Sequence, residues 1–314
     1  MRNLFLWMCF GRILLQQILT LRLRNLPNAI DVSAEYDKKR GNILKTRIIS
    51  AAVGLVLLGV VIYFFNTPVL DVAVALLSAI AVHEFVHASG LSEHRMLEAV
   101  CIIFGVAFST VYFNIFSGIT FLAEFIFAGI LMIMLLFDHK ELEVGKIAFV
   151  FMTSSLVPRV FSILLLYREY ESPVCYYLVG LSLCTAWLND IFAYFSGYFF
   201  GKKKLCPEIS PKKTVEGAIG GVAGDIVFCL LFTYAFSAVM QLSVNWISLC
   251  IFLPIGAVAS IFGDLCASII KRQFGIKDYG NIMPGHGGVM DRFDSWIFVA
   301  PLLYIWNIYL PFIG

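Results

Sequence analysis

Charge is what this sequence has least of. Only 14% of its 314 residues are Asp, Glu, Lys or Arg, where an ordinary soluble domain carries about 25%. A globule must cover its surface with polar side chains. Here 23 basic and 21 acidic residues accompany a chain that is 60% hydrophobic and 15% aromatic, with a mean hydropathy of +0.86. That scarcity excludes a secreted disulfide scaffold, a disordered tail and a soluble nucleic-acid binder, so no nucleic-acid partner is expected. The eight cysteines are scattered, mostly within apolar runs, and no two form a C-x-x-C pair. They read as small buried hydrophobes rather than zinc ligands or a disulfide framework. No small-residue cleavage site follows the apolar run Leu4–Phe10, so a removable signal peptide is not expected. Nor does an internal repeat argue for an inverted-repeat transporter.

Long apolar runs are what the chain has in abundance. A bilayer-crossing helix needs about 20 mostly apolar residues, and nine stretches qualify: 48–65, 69–90, 99–116, 119–137, 144–167, 174–200, 217–238, 245–270 and 295–313. They are continuously apolar rather than alternating, which argues against membrane strands. The expected fold class is all-α, a polytopic integral membrane helical bundle of about nine transmembrane helices. Residues 1–21 read as an interfacial helix, with a tenth span as the alternative, and 22–47 as a basic cytosolic lead-in. The expected division is 1–43 as that N-terminal element and 44–314 as the membrane domain, with its chemistry concentrated in 174–314. With residue 47 in the cytosol and nine alternating spans, 19 of the 23 Lys and Arg fall in inside segments and only Arg168 in an outside loop. That positive-inside bias predicts an N-terminus inside and a C-terminus outside, and it puts the two largest connectors, 201–213 and 271–294, on the cytoplasmic face.

Ionisable residues inside spans are expensive and point to function by default. The acidic ones are Asp71, Glu84, Glu124, Asp190, Asp225 and Asp264. Asp71 and Glu124 lie near outer ends, where snorkelling to the interface explains them. Asp190, Asp225 and Asp264 instead flank the two basic loops. In the first loop, Ser210–Thr214 is expected to open a helix whose backbone N–H groups, with Lys212 and Lys213, make an anion site. Gly217, Gly220, Gly221 and Gly224 follow at a spacing that lets helices approach closely. In the second region, Asp264, Ser268, Lys271 and Arg272 share about one helix face. Lys277-Asp278, Pro284-Gly285-His286-Gly287-Gly288 and Asp291-Arg292-Phe293-Asp294 come next. Carboxylates, glycines and basic side chains together suit a magnesium–polyphosphate site, because magnesium takes one or two carboxylates plus phosphate oxygens and Lys and Arg take the remaining phosphate charge.

The run from Ser268 through Lys271-Arg272, Lys277-Asp278 and Pro284–Gly288 to Asp291-Arg292-Phe293-Asp294 closely resembles the signature of the phosphatidate cytidylyltransferase (CDP-diacylglycerol synthase) family. Asp190 to Gly197 and Ser210 to Gly217 are similar to the same family. The resemblance is firm over 190–295, looser back to about residue 44, and does not reach 1–43. Met283 and Val289 depart from it, standing where other bulky residues are usual. The resemblance implies that CTP and phosphatidate give CDP-diacylglycerol and pyrophosphate, by in-line attack of the lipid phosphate on the α-phosphorus. It implies Asp264 and Asp291 as metal ligands with Mg2+ as cofactor, leaves room for a second cation, and makes Asp190 and Asp294 further candidates. Lys271 and Arg272, beside Asp264 and Asp291, would serve catalysis. Lys212, Lys213, Thr214, Ser268, Lys277, His286 and Arg292 would bind substrate, with His286 either bonding phosphate or shaping the turn. A homodimer in the cell membrane, its active site facing the cytoplasm, is the further implication.

A rival motif is His83-Glu84-Phe85-Val86-His87. H-E-x-x-H on a helix sets two histidines one turn apart for zinc, with the glutamate as base. An intramembrane zinc protease also needs a third ligand, usually in an L-D-G-like element, and none occurs. Polar residues capping a span is the plainer reading. A transporter is a second alternative, against which the charges cluster on one membrane face. A CTP-dependent enzyme acting on another lipid phosphate is the nearest rival.

Overall fold

The computed structural model describes residues 49–50, 52–110, 118–285 and 287–313. The chain separates into Met1–Gly54 and Leu55–Gly314, and the second unit holds the core and the candidate site. Eleven helices and one small hairpin are labelled here in chain order: α1 Ala52–Tyr63, α2 Pro68–Ala88, α3 Arg95–Thr110, α4 Gly118–Phe137, α5 Val144–Phe161, α6 Ile163–Tyr167, α7 Val174–Phe200, β1 Lys204–Cys206, β2 Ser210–Thr214, α8 Val215–Met240, α9 Trp246–Gln273, α10 Met290–Phe293 and α11 Trp296–Tyr309.

Among the described residues, six stretches are long and apolar enough to cross a bilayer: α2, α4, α5 with α6, α7, α8 and α9. Helices α1 and α11 are apolar but shorter, and α3 has 16 residues. The sequence-predicted span 99–116 runs on into residues 111–117, outside the described ones. Helix starts follow local chemistry. The Thr67 hydroxyl accepts from Val69 N just before Pro68, Thr214 accepts from Gly217 N, and Asn245 accepts from Ser248 N. Each satisfies an amide that the first helical turn leaves without a partner. Large apolar side chains such as Phe121, Leu136, Phe137, Ile247 and Val258 are exposed, as expected of lipid-facing surfaces. The protein is accordingly an integral membrane protein.

One core gathers Phe161, Tyr177, Phe252 and Trp296 from α5, α7, α9 and α11, and a second gathers Val82, Leu97, Phe127 and Ile147 from α2 to α5. Polar ties cross the first: Trp296 Nε1 donates to Ser182 Oγ at 3.1 Å, Ser260 Oγ to Ala186 O at 3.1 Å, and Asn189 Nδ2 to Ala257 O at 3.2 Å. They hold α7, α9 and α11 together where the surrounding lipid supplies no hydrophobic drive.

Helices α7 and α8 pack backbone to backbone. A Cβ on Gly217 would come 2.8 Å from Ala193 O and 3.1 Å from Gly197 Cα, and one on Gly221 would come 2.9 Å from Asn189 O. The small-residue spacing therefore marks a close helix crossing. One expectation is corrected. Ser210–Thr214 does not open a helix; it is strand β2, paired antiparallel with β1 in the register Lys204 to Thr214 and Cys206 to Ser210. A helix there is stopped by Pro211, and Thr214 caps α8 from outside it. Asp71 and Glu124 are ion-paired: Asp71 accepts from both Arg168 guanidinium nitrogens, at 2.7 and 3.1 Å, and Glu124 pairs with Arg159. Of the seven cysteines among the described residues, all free, Cys101, Cys175 and Cys229 are buried, whereas Cys184, Cys206 and Cys266 are half-buried and Cys250 is exposed.

Candidate functional site

The C-terminal end of α7, the hairpin, the start of α8 and the second half of α9 enclose a cleft of about 580 Å³. Asp190 and Tyr194 line it from α7, Lys212 and Lys213 from β2, and Asp264 from α9. Strand geometry puts successive side chains on opposite faces, and here Lys212 is exposed while Lys213 is half-buried and pairs with the Asp264 carboxylate. Thr214 reaches the same cleft, its hydroxyl oxygen engaged by Gly217 N at 3.1 Å. The hairpin base is pinned by Glu216, which accepts from Lys202 N at 3.0 Å and Lys203 N at 3.1 Å. Ser268 is half-buried, one turn beyond Asp264 on α9.

Two turns beyond Asp264 on α9, Lys271 Nζ lies 2.9 Å from Asp291 Oδ1 and 3.8 Å from Asp294 Oδ2. Asp291 is nearly saturated: its Oδ2 also accepts from Tyr279 N at 2.8 Å and Gly288 N at 2.9 Å. It thereby ties both ends of the 279–288 loop to one carboxylate. Asp294 accepts from Ser295 N at 2.8 Å. Burial pushes the Asp294 carboxyl up to about 7, with the Asp264 charge adding to it, Lys271 opposing and Asp190 adding a smaller push. Asp190, Asp264 and Asp294 therefore sit within one another's fields. Ser295 Oγ links the first to the last segment, donating to Asp190 Oδ2 at 3.4 Å. Burial also raises the Tyr279 hydroxyl, which donates to Ala267 O at 3.2 Å and so stays a neutral strut.

Of the residues singled out in the sequence, Asp190, Lys212, Lys213, Thr214 and Asp264 share the cleft, and Lys271, Asp291 and Asp294 form the adjoining cluster. Arg272, Lys277 and Arg292 are exposed. His286 lies outside the described residues. Asp225 is fully buried within the bundle, where it accepts from Cys229 Sγ at 3.3 Å, and does not line the cleft.

Among the described residues, no three His, Cys, Asp or Glu side chains converge as a ready metal cage. Magnesium asks for less, one or two carboxylates completed by substrate phosphates and water. Lysine ammonium groups already lie against Asp264 and Asp291, so cationic charge is accommodated at both carboxylates, and hard oxygen donors are what magnesium selects.

Glu84 is the residue that sequence reasoning misplaced. It is not a solvated polar cap at the end of α2. It is 1% exposed and accepts from Val289 N at 2.9 Å and Met290 N at 2.8 Å. The flanking histidines do not converge on a metal position either: their rings stack, centroids 6.2 Å apart, and His83 Nδ1 meets Glu98.

Bundled apolar helices, with lysine-neutralised carboxylates gathered where basic loops meet helix ends, define a polytopic membrane protein with a polar site at one end of the bundle. Residues 45–310 match the Cytidylyltransferase family, and the chain belongs to that family. It is similar to the phosphatidate cytidylyltransferase of Thermotoga maritima, 44% identical over 128 residues that cover 40% of this chain and 47% of the relative. To that of Bacillus subtilis it is 49% identical over 118 residues, 38% of this chain and 42% of the relative. To that of Rickettsia bellii it is 36% identical over 213 residues, 63% of this chain and 91% of the relative. The chain thus spans less than half the length of the first two and nearly all of the third.

Proposed function

We propose that this protein is a membrane phosphatidate cytidylyltransferase, converting CTP and phosphatidate into CDP-diacylglycerol and pyrophosphate for phospholipid biosynthesis. What carries the reading is the meeting of Lys213 with Asp264 inside a cleft, beside the Lys271–Asp291–Asp294 cluster, in a chain of the cytidylyltransferase family. The cleft lies between lipid-facing helices and basic connectors. That suits a reaction in which one substrate keeps its acyl chains in the bilayer and the other arrives from water.

In this reading a phosphatidate oxygen attacks the α-phosphorus of CTP in line, a new P–O bond forms, and the bond from the α-phosphorus to the bridging oxygen breaks to release pyrophosphate. The substrate supplies the nucleophile, so the side chains position and neutralise. Lys212 and Lys213 bind the triphosphate at the mouth, with Thr214 holding the strand-to-helix turn. Lys271 and Arg272 take phosphate charge from the α9 side, and Ser268, Lys277, His286 and Arg292 complete the substrate contacts. Asp264 and Asp291 would hold Mg2+, with Asp190 and Asp294 available to it or to a second cation. When bound, the cation supplies positive charge against the phosphate oxygens. Lys213 and Lys271, which lie against Asp264 and Asp291, would add their charge to that of the cation against the substrate phosphates.

The finer architecture belongs to the same proposal: 1–43 as an N-terminal element, 44–314 as the catalytic domain, nine spans, N-terminus in the cytosol, a cell-membrane location with the cleft facing the cytoplasm, and a homodimer. The test is an assay of purified protein in mixed micelles with labelled CTP and a panel of lipid phosphates. Phosphatidate giving a CDP-lipid above every other acceptor supports the reading. Preference for a polyprenyl or other lipid phosphate moves it to the nearest rival.

A further inference from the structure

Both carboxylate oxygens of Glu84 are spent on main-chain amides of a distant loop. It stands near the end of α2, more than 200 residues before its partners. Its Oε1 accepts from Val289 N and its Oε2 from Met290 N, at 2.9 and 2.8 Å. The loop wraps it closely: a Cβ on Gly280 or Gly288 would come within 3 Å of Glu84 Oε1. Those amides belong to the residues directly before Asp291, and Gly288 N next to them is taken by Asp291 itself. Three consecutive amides, 288 to 290, are therefore held by two carboxylates, one from α2 and one from the loop's own end. A buried carboxylate is tolerated only when hydrogen bonds replace its water, and hydrogen bonds to a charged acceptor are the stronger kind. Phe85, the next residue of α2, stacks edge-on against Tyr279 at 5.1 Å, so α2 grips the loop at its start as well as its end.

We infer that Glu84 is a positioning residue for the cytidylyl-transfer site: it clamps the backbone of Val289 and Met290 and thereby fixes where Asp291, and through the following turn Asp294, present their carboxylates to Lys271 and to a divalent cation. The inference rests on the proposed function for its kinetic consequence, but the clamp itself is a structural claim with its own readout. It also gives the H-E-x-x-H pentapeptide a role that needs no zinc: the glutamate is a backbone anchor and the histidines are bystanders.

The experiment compares wild type, Glu84→Gln, Glu84→Asp and His87→Ala, purified in detergent. Activity is titrated with Mg2+, and backbone hydrogen exchange is measured over the peptide containing residues 288–291. Gln offers one acceptor oxygen where the clamp needs two, and its amide N–H2 faces a backbone donor. Loss of a hydrogen bond to a charged group predicts a fall in kcat of about tenfold or more, a half-saturating Mg2+ concentration raised several-fold, and faster exchange at 288–291. The global unfolding temperature should stay near that of wild type. Glu84→Asp, which keeps both oxygens, should recover part of each effect, and His87→Ala should match wild type throughout. Wild-type kcat, Mg2+ response and loop exchange in Glu84→Gln would overturn the inference. Should Glu84→Gln not fold, Glu84→Asp decides alone, and an unchanged Mg2+ response with unchanged loop exchange overturns it. If wild type itself makes no CDP-lipid, the proposed function fails, and the exchange comparison still decides the clamp.

Discussion

Lys271 Nζ stands 2.9 Å from Asp291 Oδ1, with side-chain exposures of 12% and 3%, so the end of α9 and the start of α10 are joined by a buried ion pair. Asp294, 3.8 Å from the same ammonium, shares it. Removing one partner of such a group strands the others without counter-charge, which typically costs about 3 kcal/mol or more. Lys271→Met should lower the thermal unfolding temperature of the metal-free protein in detergent and abolish turnover. Added Mg2+ should restore part of the stability and none of the turnover. Unchanged stability would mean that the pair is not formed in solution.

Asp294 supplies a pH dependence whose sign is fixed. Its carboxyl sits at about 7 in the folded protein against an ordinary value near 3.8, chiefly through burial. A group raised in this way favours the folded state fully below its unfolded value, and that contribution fades as pH climbs through about 7. The metal-free protein should therefore lose thermal stability from about pH 4 up to about pH 7 and level off above it. Asp294→Asn should flatten that slope; a slope unchanged by the substitution would assign it elsewhere.

The α7–α8 crossing makes a packing prediction. A Cβ at Gly221 meets Asn189 Oδ1, Ala193 Cβ and Asn189 O, all within 3 Å. Backbone cannot yield as a flexible side-chain tip can, so Gly221→Val should destabilise by about 2 kcal/mol through overpacking. Because Asn189 is one residue before Asp190, activity should fall as well. Thermal unfolding and CTP turnover check both, and a fully stable, fully active variant would show that the helices stand further apart.

The sequence was most legible where one element carries its own signal. The apolar runs placed helices over 69–90, 119–137, 144–167, 174–200, 217–238 and 245–270 to within a few residues, because continuous hydropathy needs no tertiary information. The one-face argument put Asp264, Ser268 and Lys271 on α9, but the facing partners were not predicted: Lys213 opposite Asp264, and Asp291 with Asp294 opposite Lys271. Ser210–Thr214 misled because Ser, Thr and lysines before a glycine-rich run resemble a helix start, while Pro211 and the turn after Cys206 favour a hairpin. Glu84 was illegible for a different reason. Its partners are main-chain amides, which leave no trace in residue type. The one signal was a pair of glycines, Gly280 and Gly288, where the loop closes on it.

The most direct test of the cytidylyl-transfer account follows the two ends of CTP separately. Purified protein, phosphatidate and Mg2+ are incubated with CTP labelled either at the α- or at the γ-phosphate, for wild type, Asp264→Asn and Asp291→Asn. The account predicts that wild type moves the α label into lipid and releases the γ label as pyrophosphate. Each aspartate variant should lose on the order of a hundredfold or more of that rate while remaining folded. Appearance of the γ label in lipid, or full turnover by Asp264→Asn, would contradict attack at the α-phosphorus in a site built on Asp264.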